Sequence, residues 1–125
     1  SNIISYRKLT QLEKELGKYD YKLIILAGFM RILSPWFVQK YNIINIHPSL
    51  LPHFPGLYAI EQALDAGVSH TGVTIHYVNE GVDTGKVISQ RSCFIDPEDT
   101  VATLQAKLQK IEHKMYPEVI SRCLK

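Results

Sequence analysis

The run Lys22-Leu23-Ile24-Ile25-Leu26-Ala27-Gly28 decides the fold class. A continuous apolar stretch of this length, closed by glycine, suits a strand buried on both faces rather than one with a wet side. The residues around it agree. Ser34-Pro35 is a helix start, with serine as the cap and proline at the first helical position, and the helix should run to about Tyr41. Ile43 to Ile46 is a second short apolar strand. Strand, helix and strand in so short a space predict a right-handed parallel crossover.

Further out, Tyr6, Leu9, Leu12 and Leu16 recur at helical spacing before Gly17. A proline-rich loop spans Pro48 to Gly56, and Tyr58 to Ala66 reads as a helix closed by Gly67. Thr71 to Val78 and Lys86 to Phe94 are strands flanking a polar loop. Pro97 should start the last helix, whose apolar stripe is Val101, Leu104, Leu108, Ile111 and Met115, and Pro117 should end or kink it. Alternating strands and helices predict an α/β fold with a mostly parallel sheet flanked by helices. A helix precedes the first strand with no strand before it, so the start of a doubly wound domain is expected to be missing.

The 125 residues suit one domain or part of one. Hydrophobic residues make up 46% and charged residues 21%, a composition that argues against disorder. A net charge of +2, with the basic residues scattered, provides no electrostatic case for nucleic acid or an anionic membrane surface. No apolar run approaches the roughly 20 residues needed to span a bilayer. The opening residues are polar and give no signal peptide. Cys93 and Cys123 form no CxxC pair, so two free thiols in a reducing, cytoplasmic compartment are expected, with a disulfide between them as the alternative.

The densest chemical signal is Asn45-Ile46-His47-Pro48-Ser49-Leu50-Leu51-Pro52. Asn45 and His47 stand two apart at a strand end, so they point to one side. In open α/β sheets, ligands bind beyond the carboxyl ends of the strands. There an amide can donate to an oxygen gaining negative charge, and an imidazole can move a proton near neutral pH. Pro48 stiffens the turn that follows. On pattern alone, a capping Asn and a structural His fit equally well.

The loop Asn79-Glu80-Gly81-Val82-Asp83-Thr84-Gly85 is the second signal. Asp83 could hydrogen-bond a histidine from a neighbouring strand end and favour its charged form, although Asp-x-Gly more often serves only a turn. Gln109 and Glu112 are three apart on the last helix, where they can act together or simply be solvated surface. Trp36 and Phe37 read as core, and Arg31 as a strand-end cation or a surface residue. His53, His70, His76 and His113 lack partners at zinc-ligand spacing and read as surface or loop residues.

Four blocks occur in a telling order: Leu26 to Ser34, Asn45 to Pro52, Gly72 to Val78 and Val82 to Gly85. In this the chain closely resembles the folate-dependent formyltransferases over nearly its whole length. The resemblance implies the C-terminal part of a Rossmann-like formyltransferase domain over residues 1–125. It implies transfer of a formyl group from 10-formyltetrahydrofolate, as co-substrate and without a metal, to the amine of glycinamide ribonucleotide in purine biosynthesis. Asn45, His47 and Asp83 match the catalytic trio. Met30, Arg31, Ile32, Leu33, Asn45, Asn79, Glu80, Gly81, Val82 and Asp83 match the folate pocket. Pro48, Gln109 and Glu112 match residues that contact the nucleotide.

The family's opening segment, with its glycine-rich phosphate-binding turn, has no counterpart, and no G-x-G occurs anywhere. The expectation is therefore a recognisable folate pocket, a half-built nucleotide site, and a sheet edge left open to self-association. Deformylation with water as acceptor is the nearest alternative chemistry, and folate binding without catalysis the alternative of another kind.

Overall fold

The computed structural model describes residues 24–27, 39, 42–79 and 85–123. Four strands, β1 (Ile24–Ala27), β2 (Ile43–His47), β3 (His70–Tyr77) and β4 (Val87–Phe94), form one sheet in the order β1-β2-β3-β4. Helix α1 (Ala59–Ala66) lies between β2 and β3, and helix α2 (Val101–Cys123) follows β4. The helix expected at Tyr6 to Leu16, the cap at Ser34-Pro35 and the packing of Trp36 and Phe37 lie outside the described residues.

β1 and β2 pair in parallel, with Ile24 opposite Ile43 and Ala27 opposite Ile46. The rest of the sheet corrects the expectation of a mostly parallel arrangement. β2–β3 and β3–β4 are both antiparallel. The connection from β3 to β4 is too short for the dozen or more residues that a parallel crossover needs, so those strands must run in opposite directions. The longer connection from β2 to β3 spends its length on a return loop and the short α1, and it re-enters the sheet at the end it left. The product is an antiparallel edge on a parallel pair, a common form of mixed sheet.

Pairing register divides the residues between two faces, because directly opposed residues share a face. Ile44 faces Tyr77 and Ile46 faces Ile75, while Asn45 faces His76 and His47 faces Thr74. Ile44, Ile46, Val73 and Ile75 join Leu104, Leu108, Met115 and Val119 of α2, with Ala63 of α1, in one buried apolar cluster. Each of the larger side chains, Ala63 aside, contributes about 1.5–3 kcal/mol through burial. Of the expected helical stripe, Leu104, Leu108 and Met115 are buried, Ile111 is half-buried and Val101 is exposed.

The helix boundaries have local causes. α1 begins after Tyr58, which is left-handed at φ 61°, and closes on left-handed Gly67, whose N–H donates to Leu64 O. α2 starts at Val101, not at Pro97. Pro97 instead occupies a turn in which the Asp99 N–H donates to Asp96 O and the Glu98 N–H to Asp96 Oδ1. Proline serves such a turn as readily as a first helical turn. Reciprocal bonds between the backbone N–H groups and side-chain hydroxyls of Thr100 and Thr103 then cap the helix. The helix continues through Pro117 to Cys123 rather than ending there. No helix among the described residues is long and apolar enough to cross a membrane.

Candidate functional site

The strand alternation that sends Ile44 and Ile46 into the core puts Asn45 and His47 on the opposite face, both buried. Register adds His76 and Thr74 from β3 beside them. Buried His76 corrects its reading as a surface or loop residue, because period 2 sets it with Thr74, out of phase with Val73 and Ile75. His53, His70 and His113 are exposed as expected.

The chain leaving His47 turns back over this polar face and is bonded to it. The Thr74 hydroxyl donates to Ser49 O at 2.7 Å and accepts from the Leu51 N–H at 3.1 Å. Gln90 Nε2, from β4, donates to Leu51 O and to Thr74 Oγ1, both at 2.9 Å. Thr74 therefore uses its one donor and both its acceptor sites. The close approach needs glycine at position 72, since a Cβ there would lie 2.1 Å from Arg91 O and 2.6 Å from Leu50 Cδ2. The Leu51–Pro52 peptide in this loop is cis.

The loop returns to His47 through its own backbone. His47 Nε2 lies 2.8 Å from Phe54 O. A carbonyl only accepts, so Nε2 carries the hydrogen. Ser49 Oγ donates to His53 O and Phe54 O. Phe54 itself is left-handed at φ 52°, a conformation rare for a bulky side chain. Strain of this kind persists where the surroundings over-determine it, and it gathers at functional sites. None of Thr74, Gln90 or Phe54 stood out as a site residue in the sequence. Thr74 could have been found as a polar residue within an apolar strand, but nothing local marks Gln90 or Phe54.

The remaining candidates are spread more widely. Pro48 is half-buried directly after His47. Asn79 is exposed beyond β3, at the end of the sheet where β2 begins, and the Val78 N–H donates to Ile43 O there. The base of its loop is pinned, with the Tyr77 N–H donating to Lys86 O. Met30, Arg31, Ile32, Leu33, Glu80, Gly81, Val82 and Asp83 lie outside the described residues, and with them the expected approach of Asp83 to His47.

Gln109 is exposed and Glu112 half-buried on α2, the helix that covers the opposite face from Asn45 and His47. Burial pushes the Glu112 carboxyl above its ordinary range, against a lowering by His113. Burial, aided by Glu112, likewise holds the Tyr116 phenol above its ordinary range. At the start of α2, hydrogen bonds from Lys107 and Thr103 keep the Asp99 carboxyl below its ordinary range.

Two cavities lie near the end of the sheet where β2 finishes. One of about 240 Å³ is lined by Leu50, His53, Phe54, Val68, His70 and Thr71. Another of about 470 Å³ runs from Leu64 to Asp99. Neither includes Asn45 or His47 in its lining. No group of three or more His, Cys, Asp or Glu side chains suited to a metal ion occurs among the described residues.

Residues 5–120 match the model of a family described as formyl transferase. The chain is 49% identical over 113 residues to phosphoribosylglycinamide formyltransferase of Bacillus subtilis, covering 89% of this chain and 58% of that protein. It is 50% identical over 107 residues to the human trifunctional purine biosynthetic protein adenosine-3, covering 84% of this chain and 11% of that one. Among solved structures, phosphoribosylglycinamide formyltransferase from Bacillus halodurans superposes with a TM-score of 0.84 at 47% identity, covering 93% of this chain and 61% of that one. The chain thus spans less than two thirds of these relatives, and its α/β fold is theirs.

Proposed function

The chain belongs to the formyl transferase family, and on that premise we propose that it forms the catalytic part of an enzyme moving a formyl group from 10-formyltetrahydrofolate to the amine of glycinamide ribonucleotide. The observation that carries the reading is the pair Asn45 and His47, buried side by side on the polar face, with His47 Nε2 held by a backbone carbonyl.

In this reaction the substrate amine attacks the formyl carbon. The carbonyl oxygen becomes an oxyanion, to which the Asn45 amide and the His47 imidazolium donate hydrogen bonds. A preorganised donor of this kind is worth about 10²–10³ in turnover. The tetrahedral intermediate collapses, the electron pair of the bond to the folate nitrogen passes to that nitrogen, His47 gives it a proton, and the proton released by the attacking amine restores the His47 imidazolium. We assign to the Asp83 carboxylate the role of orienting His47 and balancing the charge it carries during the transfer. We assign Met30, Arg31, Ile32, Leu33 and residues 79–83 to the folate, and Pro48, Gln109 and Glu112 to the nucleotide. For the nucleotide's phosphate this sequence offers no glycine-rich turn. The free thiols of Cys93 and Cys123 suit a reducing, cytoplasmic setting.

The test is a formyl-transfer assay on the full-length protein, with and without the nucleotide. Formylated product that requires the nucleotide is the expected result. Formate release independent of the nucleotide would make the protein a deformylase, and neither product would leave it a binding protein.

A further inference from the structure

We infer that Gln90 is a positioning residue for His47, acting at a distance through the loop of residues 49–54. The inference rests on the reading of His47 as the catalytic imidazole. Gln90 belongs to the edge strand and faces Thr74 across the β3–β4 pairing. The residue is exposed, yet its amide nitrogen turns inward and spends both hydrogens, one on Leu51 O and one on Thr74 Oγ1. Because Leu51 O can only accept, the amide orientation follows from the partners themselves.

The consequence travels along a short, continuous chain of bonds. Gln90 fixes Leu51 O directly, and it orients the Thr74 hydroxyl that fixes Ser49 O and the Leu51 N–H. Ser49 in turn bonds the carbonyls of His53 and Phe54. Phe54 is left-handed, and its carbonyl is the acceptor that places the hydrogen of His47 on Nε2. A left-handed phenylalanine needs its neighbours to hold it: Phe54 packs against the apolar cluster, Gln62 donates to Pro55 O and Leu57 O, and Thr74 and Gln90 anchor the loop at Ser49 and Leu51. Catalytic groups must be held to a fraction of an ångström by such supporting bonds. Without the Gln90 amide, the loop gains freedom at Leu51, the Phe54 carbonyl loses its set position, and His47 is free to carry its hydrogen on either nitrogen.

The experiment compares Gln90→Met and Gln90→Glu in the full-length protein. Both keep the length of the side chain and remove the donor, and both replace an exposed residue, so folding should survive. Ser92→Ala, exposed two residues along the same strand, is the control. In both Gln90 variants, at a pH where the ring is neutral, the imidazole ¹⁵N shifts of His47 should show a population with the hydrogen on Nδ1 and none on Nε2. Turnover should fall by between about tenfold and a hundredfold, as a displacement of about 1 Å can produce. KM for both substrates should stay within about twofold, because substrate contacts are untouched. Unchanged ¹⁵N shifts, or a kcat within about twofold of wild type, would overturn the inference. If the wild-type protein itself transfers no formyl group, the functional reading fails, and the ¹⁵N shifts alone then decide whether Gln90 sets the tautomer.

Discussion

Thr74→Val removes a hydroxyl while conserving shape, and the structure sets its cost. Thr74 is 0% exposed, as is Ser49, and Leu51 is 8% exposed. The variant strands two buried backbone groups, the Ser49 carbonyl and the Leu51 N–H. A buried group left without its partner costs about 1–3 kcal/mol, so the pair should cost about 2–6 kcal/mol. That is a large part of the 5–15 kcal/mol typical of a whole domain. The Leu51 carbonyl keeps Gln90 and adds nothing to the loss. Urea unfolding of the full-length protein, followed by circular dichroism, is the assay. With m of about 2 kcal/mol/M, the midpoint should drop by about 1–3 M at unchanged m. Thr74→Ser keeps all three hydrogen bonds and deletes one methyl, so it should cost no more than about 1 kcal/mol. Thr74→Val within about 0.5 kcal/mol of wild type, or Thr74→Ser as damaging as Thr74→Val, would refute the claim that the hydroxyl holds the loop.

Asp83→Asn should lower kcat by about 10²–10⁴-fold while changing the Kd for a folate analogue far less, because an amide cannot supply the charge proposed to support His47; an unchanged kcat excludes that role. Gly72→Ala puts a methyl against Arg91 O and Leu50, so it should destabilise by about 1–3 kcal/mol or push the loop off the sheet, as thermal unfolding would reveal. The Glu112 carboxyl sits above its ordinary range in the folded state, so the unfolded chain ionises first as pH rises and stability falls between the ordinary and the raised value. Glu112→Gln should therefore be more stable than wild type near neutral pH, with the gap closing below the ordinary carboxylate range. A gap that widens on acidification would contradict the burial argument.

Much of this was legible in the residues themselves, wherever a short-range rule governs. The period of two along β2 separates Asn45 and His47 from Ile44 and Ile46 in any sheet that strand joins. The steps of three and four in Leu104, Leu108 and Met115 predict a buried stripe on α2 without reference to its partner. Gly67 closes α1 because the left-handed cap there favours a residue without a Cβ. The order of the motif blocks identified the family, and residues 5–120 match it.

Tertiary structure decided what depends on the path of the chain between elements. A strand's residues do not state its direction, so the antiparallel β3 and β4 followed from where their connections could lead. Pro97 fits a turn and a helix start equally, and the hydrogen bonds of Asp96 and Asp99 chose the turn. His76 reads as a surface or loop residue in the bare sequence because burial depends on the neighbouring strand, not on the residue. Gln90 and Phe54 carry no local sign of a role, for their partners lie on other elements. Periodicity is a property of consecutive residues and survives in the bare sequence. A hydrogen bond between residues 39 positions apart, such as Gln90 to Leu51, exists only once the sheet has brought them together.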